Sequence, residues 1–187
     1  MTVRTTQYPI EKHKHLYATW CAAAAYGRGL FGGGNALAFE LIEVSGLGRI
    51  TGPEHIGEDV DQWQIGFMRN IMTEAAHQSV TDFSFGRAQK LVNIYLKTVQ
   101  VCGGHHDHPS VALLHPPLDF ELFKGLRSFL SKNRATLPRA RSAFIAAQKR
   151  NPRWTKFDED DYKAHIDAIK LLMVGKPLYQ VEEYWEL

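Results

Sequence analysis

Residues 83–98 read FSFGRAQKLVNIYLKT and combine a helical period with an unusual polar stripe. Asp82 or Ser84 suits the N-cap of a helix here, and Gly103-Gly104 suits its end. The spacing predicts a helix over 85–101, with apolar surface around much of its circumference from Leu91, Val92, Tyr95, Leu96 and Val99. We therefore expect this helix to be buried on most of its sides.

The polar stripe consists of Lys90, Asn93 and Lys97, whose spacings of three, four and seven residues place them on one face. Burial of the surrounding apolar surface leaves Lys90 partly desolvated near the beginning of the helix. An amine nucleophile must be neutral, and deprotonating an ordinary lysine at pH 7 costs about 4.6 kcal/mol. Burial and a nearby cation such as Lys97 both lower that cost, so Lys90 is a candidate catalytic nucleophile.

Asp119 is the candidate carboxylate to act with Lys90. It follows the rigid, extended run His115-Pro116-Pro117-Leu118, and it can cap the helix that begins DFELFKGL. A carboxylate held by backbone N–H groups stays ionised and can take a proton or stabilise an oxocarbenium-like centre. The simpler alternative is that Lys90 is a surface lysine and Asp119 is only an N-cap.

The remainder of the chain is also predicted to be helical. Caps, glycines, prolines and apolar periodicity indicate further helices over residues 11–27, 35–44, 59–77, 119–131, 138–150, 158–174 and 178–185. Strand-like alternation is scarce, so the predicted fold class is all-α with about eight helices. The sequence has no internal repeat or low-complexity linker, which favours a single compact helical domain over 1–187. The alternative is two lobes flanking a cleft, 1–83 and 84–187.

The composition is that of an ordinary globular protein, with 187 residues, 44% hydrophobic and 22% charged, and a net charge of +2. Two cysteines, Cys21 and Cys102, are too few for a disulfide framework and favour a reducing compartment. The polar N-terminus lacks the apolar region of a secretory signal, and no window approaches the ~20 apolar residues of a membrane span. We therefore expect a cytoplasmic protein with no membrane partner and no obligate protein partner.

Positive charge is concentrated in one part of the chain. Ten basic residues and no acidic residue lie between positions 124 and 156, although the whole chain carries only +2. Basic residues grouped on a few helices suit binding to the phosphate backbone of nucleic acid; the alternative is a solvated helical face. With Arg87 of the central helix, the candidate DNA contacts are Lys124, Arg127, Lys132, Arg134, Arg139, Arg141, Lys149, Arg150 and Arg153.

The order of lysine, apolar helix, loop, proline and aspartate resembles the helix-hairpin-helix superfamily of DNA glycosylases. The segments that carry the resemblance are GRAQKLVNIYLK and HPPLDFELF, and they are most similar to the 8-oxoguanine glycosylase branch in its archaeal form. In bifunctional members a lysine at a helix start attacks the sugar and an aspartate assists. The resemblance thus implies that Lys90 is the nucleophile, that Asp119 is its partner, and that Lys97 matches a second lysine of the archaeal enzymes.

This resemblance implies an enzyme that excises a modified base from double-stranded DNA, leaves an abasic site and needs no cofactor; strand cleavage by lyase activity stays open. Two features depart from the family. Ser84-Phe85-Gly86 stands in place of a Gly-hydrophobe-Gly hairpin, and Leu118 stands where a polar residue helps to read oxidised guanine. The second departure points away from 8-oxoguanine itself. An oxidised purine and the glucosylated hydroxymethylcytosine of phage DNA, which an antiphage glycosylase of this kind removes, are the base classes left open.

A base-flipping enzyme also needs aromatic surfaces to stack the extruded base. The predicted substrate-binding residues are therefore Trp20, Trp63 and Trp185, together with Asn93 and Lys97. Cys102 and the histidines that follow it have metal-binding side chains but match no strong zinc pattern, so we expect no metal site. The alternatives to an enzyme are a helical DNA-binding protein, in which the basic helices do everything, and a protein-interaction subunit of a defence system.

Overall fold

The computed structural model describes residues 8–27, 30 and 34–185. Their regular structure is helical and contains no strand, which confirms the prediction of an all-α fold with about eight helices. The α-helices are α1 (Ile10–Tyr26), α2 (Asn35–Ser45), α3 (Val60–His77), α4 (Phe85–Leu96), α5 (Pro109–Ala112), α6 (Phe120–Lys132), α7 (Pro138–Arg150) and α8 (Glu159–Leu172). None of the helices in these ranges combines the length and the apolar character needed to cross a membrane.

Tighter and wider helical turns account for the differences from the predicted helices. α4 ends at Leu96 and continues as a π-helical turn, Lys97–His105, in which Gly104 has a φ of 99°. The predicted helix over 178–185 is a 3₁₀ helix, and the predicted loop before Asp119 contains the one-turn helix α5. Such turns lack the 3.6-residue period by which α-helices are predicted. The 3₁₀ helices are Leu47–Arg49, Pro53–His55, Trp154–Lys156 and Leu178–Tyr184.

α4 is the central helix of the molecule. Ser84 caps it, because its Oγ accepts a hydrogen bond from the backbone N–H of Arg87 at 3.2 Å. Every residue of α4 except Ile94 is buried, since α1, α3, α8 and the turn at Trp154–Lys156 all pack against it. Buried apolar side chains on these elements form one connected core. The prediction of a buried helix is therefore confirmed, and the polar side chains of α4 lie inside the protein.

Residues 114–118 form a buried, extended segment between α5 and α6. In a helical protein such a segment has no neighbouring strand to take its backbone hydrogen bonds, and each unpaired buried group costs about 1–3 kcal/mol. Amide side chains supply the missing partners. Gln89 of α4 accepts from the N–H of Leu118 at 3.1 Å and donates to its carbonyl at 2.9 Å. Gln64 of α3 accepts from the N–H of His115 at 3.0 Å and donates to its carbonyl at 3.3 Å.

Asn93 joins these two glutamines into one network. Its Nδ2 donates to the carbonyl of Pro116 at 3.0 Å and to Gln89 Oε1 at 3.1 Å, while its Oδ1 accepts from Gln64 at 2.7 Å. The two prolines of the segment have no N–H, so they add no donor that needs a partner. We call Gln64, Gln89 and Asn93 the amide cluster. It holds the extended segment against α3 and α4, and thereby sets the position at which α6 begins.

Replacement of Gln64 by alanine is expected to lower the free energy of unfolding by about 2–4 kcal/mol. The variant leaves the N–H and C=O of His115 without partners in the interior and also removes buried side-chain atoms. The matched control is Gln62→Ala, because Gln62 lies on the same helix and is exposed; its effect should be below about 0.5 kcal/mol. Urea unfolding followed by circular dichroism measures both, and equal effects would contradict the role assigned to the amide cluster.

Candidate active site

Lys90 and Asp119 form an ion pair in which Lys90 Nζ lies 2.9 Å from Asp119 Oδ2. Lys90 projects from the second turn of α4. Asp119 is the N-cap of α6, where its Oδ1 accepts from the N–H of Leu122 at 2.8 Å. Lys90 is 5% exposed, and the Asp119 side chain is 18% exposed. The two residues that the sequence pattern singled out are thus in direct contact, with the lysine almost completely removed from solvent.

Burial has the largest influence on Lys90, and it lowers the pKa of the ammonium group. The negative charges of Asp119 and Glu182 act in the opposite direction, whereas the positive charge of Lys97 adds to the lowering. The ring of Trp154 faces the ammonium, with Nζ 5.7 Å from the ring centroid. Lys90 therefore loses its proton more readily than an exposed lysine, and it touches a carboxylate that can receive that proton.

The C-terminal part of the described chain folds back over this ion pair. The 3₁₀ helix Leu178–Tyr184 packs on α6 through the Tyr184 ring, whose centroid is 4.3 Å from that of Phe129. Just beyond it, the indole N–H of Trp185 donates to Asp119 Oδ1 at 3.1 Å. The carboxylate of Asp119 therefore accepts from a lysine, a backbone N–H and an indole, and these three donors fix its orientation.

Lys97 and Glu182 form a second ion pair beside the first. Lys97 begins the π-helical turn after α4, and Glu182 belongs to the 3₁₀ helix that follows α8, so the pair ties the C-terminal segment to the central helix. Both residues are close enough to influence the charge on Lys90. The site is thus a balanced cluster of two lysines and two carboxylates, bordered by two indoles.

The three tryptophans that were predicted to stack a base lie in different places. Trp185 is at the site and is 44% exposed. Trp20 is 58% exposed on α1 and stacks on Tyr17, with ring centroids 6.1 Å apart. Trp63 packs edge-on against Phe67 at 5.0 Å, beside the core. Of the three, the structure brings Trp185 to the ion pair, and it gives Trp20 and Trp63 other neighbours.

Trp154 is a site residue that the sequence reasoning missed. Its turn docks so closely on the start of α4 that a Cβ at Gly86 would lie 1.6 Å from the Trp154 carbonyl oxygen. Ser84 Oγ also donates to the carbonyl of Thr155 at 2.8 Å. Gly86 is the one sequence signal of this close approach, because only glycine leaves room for another backbone. It does not reveal which segment approaches.

The residues that stand in place of the family's hairpin are engaged inside the protein. The N–H of Gly86 donates to the carbonyl of Phe157 at 3.3 Å, so it faces a protein carbonyl and not a phosphate. Arg87, expected to contact DNA, is buried, and its Nη1 donates to the carbonyl of Tyr26 at 2.8 Å, where α1 ends. A guanidinium there satisfies a carbonyl that the helix leaves unpaired. Arg87 thus links α4 to α1 inside the protein, where the sequence had predicted a contact with DNA.

Asn93 and Lys97, the polar members of the predicted substrate-binding set, have different environments. Asn93 is fully buried, and its Nδ2 donates also to Tyr162 OH at 3.2 Å, so both ends of its amide are engaged inside the protein. It therefore acts on the site indirectly, by holding the segment that carries Asp119. Lys97 lies next to Lys90 in the charged cluster, paired with Glu182.

The predicted DNA-binding residues of α6, α7 and their flanking loops lie at the surface; Arg141 is half-buried and the others are exposed. Neighbouring carboxylates neutralise part of this charge. Arg150 lies 2.7 Å from Asp161 and also contacts two other aspartates at the start of α8. Lys124 Nζ lies 3.7 Å from Glu121. The remaining positive charge is contributed by Arg127, Lys132, Arg134, Arg139, Arg141, Lys149 and Arg153.

Over the described ranges, no three histidine, cysteine, aspartate or glutamate side chains lie close enough together to hold a metal ion. Among the residues with metal-binding side chains, Cys102 is exposed and His115 is buried. His115 bonds through its two ring nitrogens to Tyr162 OH at 2.7 Å and to Asp61 at 2.9 Å, and burial lowers its pKa. Its imidazole belongs to the packing around the buried extended segment.

Comparison of the chain with known protein families, with curated proteins and with solved structures found no match. The relationship to helix-hairpin-helix glycosylases stays a prediction from two short segments. The functional interpretation therefore depends on the geometry of the charged cluster and on the distribution of surface charge.

The buried ammonium predicts how stability depends on pH. Because folding lowers the pKa of Lys90, the unfolded chain binds this proton more tightly, and the free energy of unfolding rises as pH approaches the pKa of an exposed lysine. We expect wild-type protein to gain stability relative to Lys90→Met between about pH 7 and pH 10. Carboxylates are ionised throughout this range and do not contribute. Urea unfolding at each pH measures the difference, and a difference that stays constant or shrinks would contradict a lowered pKa.

Removal of the Trp185 indole is expected to expose Lys90. Trp185→Ala takes away the side chain that bonds to Asp119 beside the lysine, so a water-soluble amine-reactive reagent should modify Lys90 several times faster. Trp20→Ala is the matched control, because it removes an exposed indole whose described ring contact is to Tyr17. Mass spectrometry of tryptic peptides reports the rate at Lys90. Equal rates in both variants and wild-type protein would show that Trp185 does not shield the amine.

Proposed function

We propose that this protein is a DNA N-glycosylase in which Lys90 attacks the sugar of a modified nucleotide and Asp119 transfers the proton. The observation that carries the proposal is the 2.9 Å contact between a buried amine and a carboxylate that two further donors orient. An amine nucleophile needs a lowered pKa and a nearby proton acceptor, and Lys90 has both. The resemblance of these two residues to the lysine and aspartate of helix-hairpin-helix glycosylases supports the same assignment.

The ion pair supplies the proton balance of the reaction. Lys90 gives a proton to Asp119 and becomes a neutral amine, which attacks C1′ of the deoxyribose as the bond from C1′ to the base breaks. The base leaves with the bonding electrons and takes the proton from Asp119, which returns to its ionised form beside a covalent lysine–sugar adduct. Water then releases the abasic sugar and regenerates Lys90. Opening of the sugar ring to an imine before that step would permit strand cleavage.

Surface charge supports DNA as the partner. Lysines and arginines that no carboxylate neutralises bind phosphates by direct attraction and by release of counterions. α6 carries Asp119 at its N-terminus and Arg127 and Lys132 further along, so a catalytic residue and candidate phosphate contacts share one helix. A duplex bound along this helix would lie next to the Lys90–Asp119 pair.

The second candidate is a helical DNA-binding protein without enzymatic activity. The observation that favours it is the enclosure of Lys90, which is 5% exposed and in contact with Asp119. On this interpretation the ion pair only joins α4 to α6, and the exposed cations carry the function. The two candidates differ in one measurable respect, since only the glycosylase needs Lys90 for a chemical change in DNA.

Duplexes that carry defined modified bases test the proposal, and they include 8-oxoguanine and glucosylated hydroxymethylcytosine. Wild-type protein is expected to form abasic sites on one of them. Lys90→Met and Asp119→Asn are each expected to slow excision by at least about 10²-fold, because each removes a group that takes part in the transition state. Lys132→Met is the matched control, since it removes an exposed lysine from α6 and should leave the rate at saturating DNA unchanged.

Borohydride trapping separates the two candidates further. The glycosylase is expected to give a covalent adduct between DNA and Lys90, identified by mass spectrometry and absent from Lys90→Met. DNA binding without abasic sites on any modified duplex, and without a trapped adduct, would favour the non-enzymatic protein.

A further inference from the structure

A cleft of about 360 Å³ lies between α6 and α7, and neither Lys90 nor Asp119 lines it. Its floor is apolar, and its charged lining residues are all cations. In the part of the chain that the structure describes, none of these cations has a carboxylate within ion-pair distance. The apolar side chains are Leu130, Phe144, Ile145 and Pro152, and the cations are Arg127, Arg141 and Lys149.

Arg127 is held in one orientation by a chain of hydrogen bonds that starts in the core. The carbonyl of Asp161 can only accept, so His165 Nδ1, 2.8 Å away, carries the proton and His165 Nε2 is an acceptor. Gln148 Nε2 donates to His165 Nε2 at 2.9 Å, which leaves Gln148 Oε1 to accept from Arg127 Nη2 at 2.9 Å. Each hydrogen bond of this chain therefore has only one possible direction. The guanidinium of Arg127 is positioned by it before any ligand binds.

The inner end of this chain is fixed as well. His165 is fully buried between Phe123 and Phe157, whose ring centroids lie 4.8 and 4.6 Å from its own. Burial lowers the pKa of His165, so the ring stays neutral and Nε2 remains an acceptor. An arginine that serves only solubility needs no such support. A ligand-binding guanidinium benefits from it, because less conformational entropy is lost on binding.

We propose that this cleft binds a phosphodiester group of a DNA strand, with the adjoining deoxyribose against the apolar floor. The cations of both helices would surround the phosphate, and the oriented guanidinium of Arg127 offers it directional N–H donors as well as charge. The apolar floor suits the C–H surface of a sugar and offers no polar contact to a free inorganic anion. The inference rests on the DNA partner of the proposed function and does not depend on base excision.

The position of the cleft suits a contact close to the reacting nucleotide. Arg127 lies eight residues after Asp119 on α6, which corresponds to about 12 Å along the helix axis. Phosphates of one strand rise ~3.4 Å per nucleotide and also wind around the duplex, so the bound phosphate would lie only a few nucleotides from the one at Lys90. We expect this contact to replace the DNA contact of the hairpin in helix-hairpin-helix glycosylases. The Gly86 N–H at the corresponding position already donates to the carbonyl of Phe157.

Binding of an unmodified duplex tests the cleft, measured by fluorescence anisotropy between about 0.05 and 0.2 M salt. Each cleft variant is expected to weaken binding about tenfold at the lower salt and to reduce the slope of log affinity against log salt by at most about 0.9, the value for one phosphate contact. Each control variant removes the same charge outside the cleft and should weaken binding less than about threefold. The cleft variants are Arg127→Gln, Arg141→Gln and Lys149→Gln, and the controls are Lys12→Gln and Lys176→Gln, which change exposed lysines outside the predicted DNA-binding set.

Gln148→Met keeps every charge and removes the hydrogen bonds of Gln148 to Arg127 and to His165. It is expected to weaken binding about threefold while the salt slope stays that of wild-type protein, because the number of phosphate contacts is unchanged. Wild-type affinity in Gln148→Met would overturn the positioning of Arg127. Cleft variants that bind no worse than the control variants would overturn the proposal as a whole.

Competition by poly-glutamate distinguishes a DNA strand from an acidic protein chain. At equal charge, poly-glutamate is expected to displace the duplex poorly, since it has neither phosphate nor sugar; displacement as effective as that by unlabelled duplex would overturn the phosphodiester assignment. Weakened binding by the cleft variants, without base excision by wild-type protein, would retain the cleft and reject the glycosylase. Excision by wild-type protein, together with cleft variants that bind as well as the controls, would retain the glycosylase and reject the cleft. Absence of duplex binding by wild-type protein would reject both the cleft and the glycosylase.

Discussion

Three buried amide side chains determine where the reactive groups of this protein can lie. Gln64, Gln89 and Asn93 pair with five backbone groups of the extended segment, which are the N–H and C=O of His115 and Leu118 and the C=O of Pro116. At about 1–3 kcal/mol for each group left unpaired, their sum is comparable with the ~5–15 kcal/mol that stabilises a whole domain. Without these amides, the backbone groups of the segment could find partners only in water at the surface. Asp119 would then move with the segment and lose its contact with Lys90.

The amide cluster also explains how a helix as buried as α4 can carry a lysine and two other polar side chains that face the same segment. A polar group in a low-dielectric interior is stabilising when all its partners are present and costly when one is missing. Asn93 extends the network through Tyr162 and His115 to Asp61, whose ion pair with Lys170 reaches the surface. Lys90 lies at the other side of this polar layer, where its partners are Asp119 and the ring of Trp154.

Local signals made the helices predictable from the sequence, whereas the pairing of Lys90 with Asp119 was predicted from the resemblance to glycosylases. Caps, glycines and apolar periodicity mark each long helix, and the lysine and the proline-flanked aspartate both sit at marked helix starts. The same signals could not reveal Trp154 or the C-terminal segment over the site, because both arrive through tertiary contacts. Arg87 shows the limit most clearly, since a pattern identifies a polar residue on a helix but not whether that residue meets solvent or the end of another helix.

The packing around α4 restricts which residues can occupy several of its positions. Gly86 is required by the nearby carbonyl of Trp154, Gln89 and Asn93 by the backbone of the extended segment, and Lys90 by the charged cluster. Together they form the pattern Gly-x-x-Gln-Lys-x-x-Asn, followed 23 residues after the asparagine by Pro-Pro-x-Asp. Several independent physical requirements act on these positions, so the pattern should outlast divergence of the rest of the chain. Common ancestry with distant proteins is therefore best sought in these interior residues and not in the charged surface, where one lysine can replace another at little cost.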